Sequence, residues 1–584
     1  MRKRMVGALG LLMTLWLGLG VPQSNAQDGK EIRNVVLMIT DGTSLPTVSL
    51  ARWYQRMLHP EMRHLNIDPY LCGTVITFCS DAPTGDSAPT TSCYVNGMPS
   101  NTGFVSTYPH DAGASNLVPV DTARQYAPLI TLLEAARLER GMRTGLVVTC
   151  QFPHATPADC SAHGPKRTDY ARLAKQMVHN HLDVVIGGGT GYLDSGMAHH
   201  LRQQGYELLL DDLQGLRKSH SHRMWALFNP KDLPYELDRD SSRYPSLAES
   251  TRIALKKLSD GNPKGFFLMV EGSKVDWAAH DNDLAALPTE FLGFDAACHE
   301  VLEFAKRDGH TAVIITADHG NSGVSIGRQS WPLYDEYSKE ELFGPLMRFR
   351  HTGEWLAKAL ESTPPARLDS LFQLHCGFTL TDNDREALYL NRNYGLSPIP
   401  TSERMAKDSV LYRTKLARTI STIMSARTPI AFTTHGHTAE EVFLACYHPG
   451  GKTPKGVIYN TDLHRYMAGL LGWPNGVDAL NQKYFIPHPT LFKGMKTRIL
   501  HGDKKGGAML EVKSRKHTLR AYENVDWVEL DGPTGRAGIT SGIQPRTPAV
   551  LRANAYAGFG RVEKPTPPST RVRTTEIFAN FATA

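Results

Sequence analysis

Short runs of consecutive apolar residues recur along the chain, and segments with helical periodicity lie between them. Unbroken apolar runs, as opposed to alternating ones, are typical of strands covered on both faces in a mainly parallel sheet. Strands that alternate with helices predict a three-layer α/β/α sandwich. The predicted strands are Asn34–Thr40, Thr74–Phe78, Thr144–Thr149, Leu182–Ile186, Gly265–Val270, Thr311–Thr316 and Val442–Tyr447. The predicted helices include Ala127–Arg140, Asp169–Asn180, Leu247–Ser259 and Glu290–Arg307.

The same pattern divides the chain into segments. Residues 27–475 carry the α/β pattern and form the predicted catalytic domain. Within it, about residues 325–430 form a long helical insertion, because a structureless loop of that length is uncommon. We expect this insertion to act as a lid or as an oligomer contact. Residues 476–584 form a C-terminal extension with alternating stretches, which predict a small β-rich appendage that ends in a flexible tail.

The first residues have the order of segments found in a signal peptide. Met1–Arg4 carries three positive charges, Met5–Val21 is apolar, and Ser24-Asn25-Ala26 is a small-residue cleavage site. This order predicts that residues 1–26 are removed and that the protein is exported, to the periplasm or beyond. An uncleaved membrane anchor is the alternative, because the apolar run approaches spanning length. After removal of the signal we expect no stable membrane span.

Composition changes this picture little. Apolar residues make up 41% of the 584 residues and charged residues 21%, which is typical of a globular protein. The net charge of +6 arises from the signal and from residues 491–584, which hold 16 Lys and Arg against 8 Asp and Glu. The basic balance therefore gives no reason to expect nucleic-acid binding by the catalytic domain. Eight cysteines are too few for a disulfide scaffold, although Cys72–Cys79 or Cys150–Cys160 could bridge short loops.

Polar residues follow several of the predicted strands at the point where each strand ends. Asp41 follows the first strand, Glu271 follows Gly265–Val270, and Asp318 with His319 follows Thr311–Thr316. The carboxyl ends of strands line the ligand crevice in open α/β sheets. The sequence therefore predicts a site at one edge of the sheet.

Further motifs carry the same kinds of side chain, and each is ordinary by itself. Asp276 and His280 stand four residues apart, so that a helix would present both on one face. His435 and His437 precede the last strand and offer one metal ligand and one spare. Ser87, in Gly-Asp-Ser-Ala-Pro-Thr-Thr, is placed to begin a helix, where backbone N–H groups favour an anion.

The convergence of carboxylates is an independent reason to expect bound metal. Asp41, Glu271, Asp276 and Asp318 come together without a matching cluster of Lys or Arg. Packed like charges raise one another's pKa or push the site apart, and divalent cations resolve the conflict. A serine hydroxyl is a weak nucleophile, and a zinc-class ion stabilises its alkoxide.

Taken together and in this order, the motifs resemble those of the alkaline phosphatase family from about Arg33 to Gly472. The resemblance implies an exported phosphomonoesterase that forms a phosphoserine intermediate on Ser87. It implies two zinc ions and one magnesium ion for each subunit, and Arg167 as the residue that clamps the phosphate. Phosphate monoesters are the implied substrates, and a homodimer is left open.

The resemblance also implies the ligands of each ion. The first ion falls to Asp276, His280 and His437, and His437 is preferred to His435 because Tyr447 follows it at the family's spacing. The second ion falls to Asp41, Asp318 and His319 with the oxygen of Ser87. The third falls to Asp41, Thr156 and Glu271, so that Asp41 bridges two ions.

Two positions depart from the best-studied bacterial members of the family. His154 stands where some members have aspartate, and Trp277 stands where some have lysine. Both residues lie beside the region of the third ion and the phosphate, and we expect His154 to contribute to substrate binding. The third ion could therefore be zinc or cobalt in place of magnesium.

Three rival functions are weaker. A phosphodiesterase of the same superfamily usually has two ions and often a threonine nucleophile. A sulfatase needs a Cys/Ser-x-Pro-x-Arg motif, and the sequence Ser-Ala-Pro-Thr-Thr from Ser87 lacks the arginine. A non-catalytic phosphate- or metal-binding protein would be expected to have lost a ligand, whereas every expected position is filled.

Overall fold

The computed structural model describes residues 31–331, 334–394, 415–501, 508–514, 518–526, 528–531 and 550–551. The predicted signal peptide and the predicted flexible tail lie outside these residues. Among the helices that are described, none is long and apolar enough to cross a membrane.

A ten-stranded sheet forms the centre of the molecule, in the order β14-β2-β13-β8-β1-β7-β3-β4-β6-β5. Strand β13 is antiparallel to its neighbours β2 and β8, and the other neighbouring pairs are parallel. The strands of this sheet are β1 Asn34–Thr40, β2 Leu71–Ile76, β3 Arg143–Gln151, β4 Val184–Gly188, β5 Glu207–Leu210, β6 Met224–Phe228, β7 Phe266–Gly272, β8 Thr311–Ala317, β13 Val442–Tyr447 and β14 Gly456–Tyr459.

Helices flank the sheet and complete a three-layer α/β/α sandwich, as predicted. One group consists of α1, α8 and α10, in which α10 contacts β1, β7 and β8; α2, α3, α4 and α16 form a second group. The helices before the insertion are α1 Leu45–Leu58, α2 Ser87–Asn96, α3 Leu132–Arg140, α4 Ala155–Asp159, α5 Tyr170–Val178, α6 Ser195–Gln203, α7 Leu213–Lys218, α8 Leu247–Ser259, α9 Lys274–His280 and α10 Ala286–Asp308.

The sheet contains three strands that the apolar pattern did not predict. Strands β5 and β14 lie at the two edges of the sheet and are partly exposed, so their residues lack the long apolar run of a central strand. Strand β6 is fully buried but only five residues long. The seven predicted strands are all present, and two of them, β1 and β13, have the predicted bounds.

Between β8 and β13 the described residues are mainly helical. This region contains α11 Lys339–Arg348, α12 Gly353–Glu361, α13 Leu368–Cys376, α14 Asp382–Tyr394 and a helix over the described residues 415–425, labelled α15. It also contains four two-residue strands, β9 Gly320–Asn321, β10 Ser325–Ile326, β11 Ile430–Ala431 and β12 His437–Thr438. The predicted helical insertion lies here, and the domain boundaries themselves stay a prediction.

The C-terminal region forms a separate antiparallel sheet of four strands in the order β16-β17-β18-β19. A small apolar cluster that includes Phe492, Leu510, Val512 and Leu519 forms its core. The elements from β13 onward are α16 Asn460–Leu470, α17 Asn481–Tyr484, β15 Ile486–Pro487, α18 His488–Leu491, β16 Lys496–His501, β17 Ala508–Lys513, β18 Thr518–Tyr522, β19 Val528–Asp531 and β20 Val550–Leu551.

All eight cysteines are free thiols, and seven of them are buried. The two disulfides that the sequence left open, Cys72–Cys79 and Cys150–Cys160, are not formed. Burial raises the pKa of Cys150 and Cys160 well above the usual value, so both side chains are protonated at neutral pH.

Strand β1 lies at the centre of the core, and every residue in it is buried. Leu37 pairs with Met269 of β7 on one side and with Ile314 of β8 on the other. Central position and burial on both faces explain why its sequence is an unbroken apolar run.

We expect Leu37→Ala to lower the free energy of unfolding by about 2–5 kcal/mol, because it removes a fully buried side chain and leaves a cavity. Leu374→Ala is the control, since that side chain is 60% exposed, and it should change the free energy by less than about 0.5 kcal/mol. Urea denaturation of both variants measures the difference, and equal effects would contradict the central position of Leu37.

Candidate metal and phosphate site

The register of the central sheet brings three acidic residues together at the carboxyl ends of neighbouring parallel strands. Ile39 of β1 pairs with Glu271 of β7, and Thr40 pairs with Ala317 at the end of β8. Asp41 and Asp318, each one residue further on, therefore lie level with each other and two residues beyond Glu271. All three acids are fully buried, so the strand ends form an acidic cluster inside the protein.

Ser87 lies beside this cluster at the first position of helix α2. Its side chain is almost completely buried. Its Oγ lies 3.3 Å from Oδ1 of Asp41 and 3.2 Å from Nε2 of His319. The N-terminal end of a helix favours negative charge, so Ser87 combines a hydroxyl with a site suited to an anion.

A buried carboxylate holds helix α2 in place. Asp159, at the end of α4, accepts hydrogen bonds from the Ser92 hydroxyl at 2.5 Å and from the Ser106 backbone N–H at 2.6 Å. Tyr94 of the same helix donates to the carbonyl oxygen of Ala317 at 2.7 Å. These contacts fix α2, and with it Ser87, relative to the strand ends.

The structure brings Asp276, His280 and His437 together. Helix α9 places Asp276 and His280 on one face, and Nε2 of His280 lies 3.4 Å from Oδ2 of Asp276. His437 reaches the same carboxylate from β12, with its Nε2 3.6 Å from Oδ1 of Asp276 and 3.1 Å from Nε2 of His280. One potential ligand atom from each residue lies within 4.8 Å of the others, so the three could hold one ion. The ring of His435 contacts the backbone carbonyl of His280 instead, at 2.9 Å.

Three histidines of the site direct one ring nitrogen to the backbone. The Nδ1 atoms of His280, His437 and His319 lie 2.6 Å from His435 O, 2.8 Å from Gly85 O and 3.0 Å from Gly320 O, respectively. Because a carbonyl oxygen only accepts hydrogen bonds, the proton of each neutral ring lies on Nδ1. Nε2 is then unprotonated and faces the carboxylates, which is the arrangement usual for metal-binding histidines.

A second group surrounds Asp41. Nε2 of His319 lies 3.4 Å from Oδ1 of Asp41 and 3.5 Å from Oδ2 of Asp318. The other oxygen of Asp318 accepts hydrogen bonds of 3.0 Å from the backbone N–H groups of Gly42 and His319. Burial, together with the charges of Asp318 and Asp276, raises the pKa of Asp41 well above its usual value. A cation would relieve this electrostatic cost.

The third predicted group lies around Glu271. Burial raises the pKa of Glu271 to about 7, and the charge of Asp318 adds to the effect. The thiol of Cys150 donates to Oε2 of Glu271 at 3.4 Å. Ligand atoms of Glu271, Cys150 and His154 all lie within 4.8 Å of one another. Thr156 lies in helix α4, whose residues are buried. Cys150 was not predicted as a site residue, and its position one residue before the end of β3 was the available signal.

Arg167 is held in place by its neighbours. One guanidinium nitrogen forms an ion pair with Oδ1 of Asp86, and another lies 3.2 Å from Nε2 of His154. Burial and the charge of Arg167 lower the pKa of His154 to about 3, so this imidazole is neutral and Nε2 accepts the hydrogen bond. Trp277 packs edge-on against His154, with ring centroids 5.7 Å apart. Both unusual positions therefore lie beside the predicted phosphate clamp.

The donors present fit divalent cations. Within the described part of the chain, no hydrogen-bond partner satisfies one buried oxygen on each of four predicted ligands: Asp41 Oδ2, Thr156 Oγ1, Glu271 Oε1 and Asp318 Oδ2. Buried oxygens without partners are costly, and bound cations would satisfy them. A set of oxygen and imidazole donors suits a zinc-class ion. The predicted third set, Asp41, Thr156 and Glu271, offers only oxygen donors and suits magnesium.

Two supporting residues were not predicted. Asp86 pairs with Arg167 and also accepts a hydrogen bond of 2.9 Å from the backbone N–H of Gly103. Asn321 donates to Oδ1 of Asp276 at 2.7 Å. The proximity of Asp86 to Ser87 in the sequence was a signal for the first, whereas Asn321 contacts Asp276 only through the fold.

Comparison with known proteins gives a consistent result. A family model described as alkaline phosphatase matches residues 32–473. Alkaline phosphatase 3 of Bacillus subtilis is 31% identical over 464 residues, which cover 76% of this chain and 91% of the relative. Repressible alkaline phosphatase of Saccharomyces cerevisiae is 30% identical, over 76% of this chain and 81% of the relative.

Solved structures agree with these relatives. A cold-active alkaline phosphatase from Shewanella sp. is 26% identical and aligns with a TM-score of 0.63, over 75% of this chain and 99% of that one. The alkaline phosphatase of Thermus thermophilus, 24% identical, aligns with a TM-score of 0.64 over 78% of this chain and 96% of that one. The second comparison shows the shared fold.

We expect Gly42→Ala to weaken metal binding about 10-fold or more, as changes next to metal ligands commonly do. Gly42 has a φ of 59°, and an added Cβ would overlap the side chain of Asp276. The zinc concentration needed to restore activity to chelated protein measures the effect. Gly205→Ala is the matched control, because Gly205 also has a positive φ, of 79°, but a Cβ added there would meet no atom within 4 Å. Equal zinc requirements for the two variants would contradict the steric explanation.

Proposed function

The chain belongs to the alkaline phosphatase family and is a phosphoric monoester hydrolase, and on this premise we propose that Ser87 is its nucleophile and forms a phosphoserine intermediate. The observation that carries the proposal is the position of Ser87. Its hydroxyl is buried at the N-terminal end of α2 and faces both Asp41 and His319.

We assign the metal ligands in three sets. Asp276, His280 and His437 would hold one zinc-class ion, and Asp41, Asp318 and His319 would hold a second with the oxygen of Ser87. Asp41, Thr156 and Glu271 would hold the third, magnesium-type ion. When bound, such ions favour the ionised forms of a serine hydroxyl and of water and offset the negative charge of a phosphate. The unsatisfied buried oxygens of Asp41, Thr156, Glu271 and Asp318 support this assignment.

The reaction then proceeds in two displacements at phosphorus. In the first, Ser87 Oγ loses its proton and bonds to phosphorus, while the bond from phosphorus to the ester oxygen breaks and the alcohol leaves with a proton. In the second, water breaks the bond between Ser87 Oγ and phosphorus, which releases inorganic phosphate and restores the hydroxyl. The positive end of α2 faces the phosphate in both steps.

Arg167 is the proposed clamp for the phosphate oxygens. A guanidinium group presents paired N–H donors in a geometry that matches two oxygens of a phosphate. Asp86 and His154 fix the group near Ser87 before the substrate arrives. Because this preorganisation limits the loss of side-chain entropy on binding, we include His154 among the substrate-binding residues.

The identity of the third ion depends on His154. The family resemblance assigns magnesium, which prefers oxygen ligands. The imidazole of His154 close to Glu271 is a reason to propose zinc or cobalt in its place, because imidazole nitrogen suits these ions better.

We also propose export to the periplasm or beyond, because residues 1–26 contain the basic, apolar and small-residue segments of a signal peptide. We propose residues 27–475 as the catalytic domain, with an insertion at about 325–430, and residues 476–584 as an extension. Phosphate monoesters are the proposed partners, without nucleic-acid binding as such. A homodimer is compatible with the proposal.

Ser87→Ala should lower the rate of para-nitrophenyl phosphate hydrolysis by about 10³-fold or more, because it removes the attacking oxygen. The variant should keep its fold and its metal content. Thr91→Val is the matched control, because this buried hydroxyl lies on the same helix and has no hydrogen-bond partner among the described residues. The unchanged protein should hydrolyse the monoester much faster than the corresponding bis ester; a preference for the bis ester would indicate a phosphodiesterase. Full activity of Ser87→Ala would show that another group is the nucleophile.

Asp276→Asn should reduce the bound zinc by about one ion for each chain, because it removes the carboxylate that both His280 and His437 approach. Elemental analysis measures the metal, and removal of all ions with a chelator should abolish monoester hydrolysis. Asp281→Asn is the control, because this acid ends the same helix and pairs with Arg418 outside the cluster. An unchanged zinc content of Asp276→Asn would remove this residue from the ligand set.

A further inference from the structure

A second cluster of histidines lies away from the candidate active site, where the C-terminal sheet meets the sandwich. His179 directly follows helix α5, and His181 lies in the turn before β4 with a φ of 56°. His200 belongs to helix α6. Asp526 lies between β18 and β19 of the C-terminal sheet. Residues distant in the chain therefore converge from both parts of the molecule.

The carboxylate of Asp526 lies at the centre of this cluster. Its Oδ1 is 2.7 Å from Nδ1 of His179 and 3.9 Å from Nε2 of His200, and its Oδ2 is 2.6 Å from Nε2 of His181. The rings of His179 and His200 are packed together, with centroids 3.9 Å apart. Ligand atoms of His179, His200 and Asp526 all lie within 4.8 Å of one another.

The cluster is shielded from solvent. The exposed fractions of the side chains are 8% for His179, 13% for His181, 17% for His200 and 11% for Asp526. Nε2 of His200 is buried and has no hydrogen-bond partner among the described residues, and its distance of 3.9 Å from Asp526 is too long for a hydrogen bond. An ion-pair network alone leaves this nitrogen unsatisfied.

We propose that His179, His181, His200 and Asp526 bind one zinc-class ion that fastens the C-terminal sheet to the catalytic sandwich. Three imidazole nitrogens and one carboxylate oxygen form a closed four-ligand set, which is typical of a structural zinc site. In a tetrahedral site with bonds of about 2.0 Å, ligand atoms lie about 3.3 Å apart. Ligand atoms of His179, His200 and Asp526 already lie within 4.8 Å of one another, and His181, 2.6 Å from the other carboxylate oxygen, would turn toward them to complete the site.

A second contact between the same elements supports a fastening role. Arg172 of α5 lies 3.8 Å from Glu523, three residues before Asp526. Helix α5 begins three residues after Arg167, the proposed phosphate clamp. The ion would therefore join the C-terminal sheet to the helix that follows the clamp, while its ligands remain separate from those of the active site.

Zinc content tests the proposal directly. The full chain, its Asp526→Asn and His200→Ala variants, and a His199→Ala control are loaded with zinc and dialysed against metal-free buffer. His199 is the exposed neighbour of His200 on α6, so its removal leaves the proposed ligands in place. We expect one zinc ion fewer for each chain in the two ligand variants than in His199→Ala, with para-nitrophenyl phosphate hydrolysis unchanged. Equal zinc content in all four proteins would overturn the proposal.

A measurement on the unchanged protein covers the case in which the ligand variants fail to fold. Crystals grown with zinc are measured on both sides of the zinc absorption edge. An anomalous peak at about 2.0–2.2 Å from His179, His181, His200 and Asp526 would support the site. Peaks at the active site without one here would overturn it, and the active-site peaks show independently whether the enzyme was loaded.

Discussion

The burial of four carboxylates at one edge of the sheet is the constraint on which the rest of this site depends. Asp41, Glu271, Asp276 and Asp318 are buried, and this burial, together with repulsion between the acids, raises the pKa of Asp41 and Glu271. Backbone N–H groups and one asparagine satisfy some of their oxygens and leave others without partners. This incomplete satisfaction would be costly in an apolar core, and it is the expected state of a site built around cations.

The surroundings of the acidic cluster hold one hydroxyl and one guanidinium group near Asp41. Helix α2 presents Ser87 at its positive end, and Asp86, one residue earlier, pairs with Arg167. Two consecutive residues, Asp86 and Ser87, thus hold the proposed phosphate clamp and supply the proposed nucleophile. The histidines are oriented by backbone carbonyls, so their metal-facing nitrogens need no reorganisation when an ion binds.

Much of the fold could be predicted because burial on both faces leaves a strong signal in the sequence. Strand β1 is apolar throughout and was predicted with its correct bounds, whereas the edge strands β5 and β14 are partly exposed and were missed. The position of Asp41 after β1 and of Asp318 after β8 follows from the same pattern. The spacing of Asp276 and His280 predicted their common helix face, which the structure contains in α9.

Sequence alone therefore determined the α/β class, the family resemblance and the residues that could form the active site, because these depend on local pattern and on motifs in a fixed order. The tertiary structure decided which residues meet from distant parts of the chain. It placed Asn321 against Asp276, and it gathered three histidines around Asp526. No periodicity encodes such contacts, since they arise only when separate helices and sheets pack together.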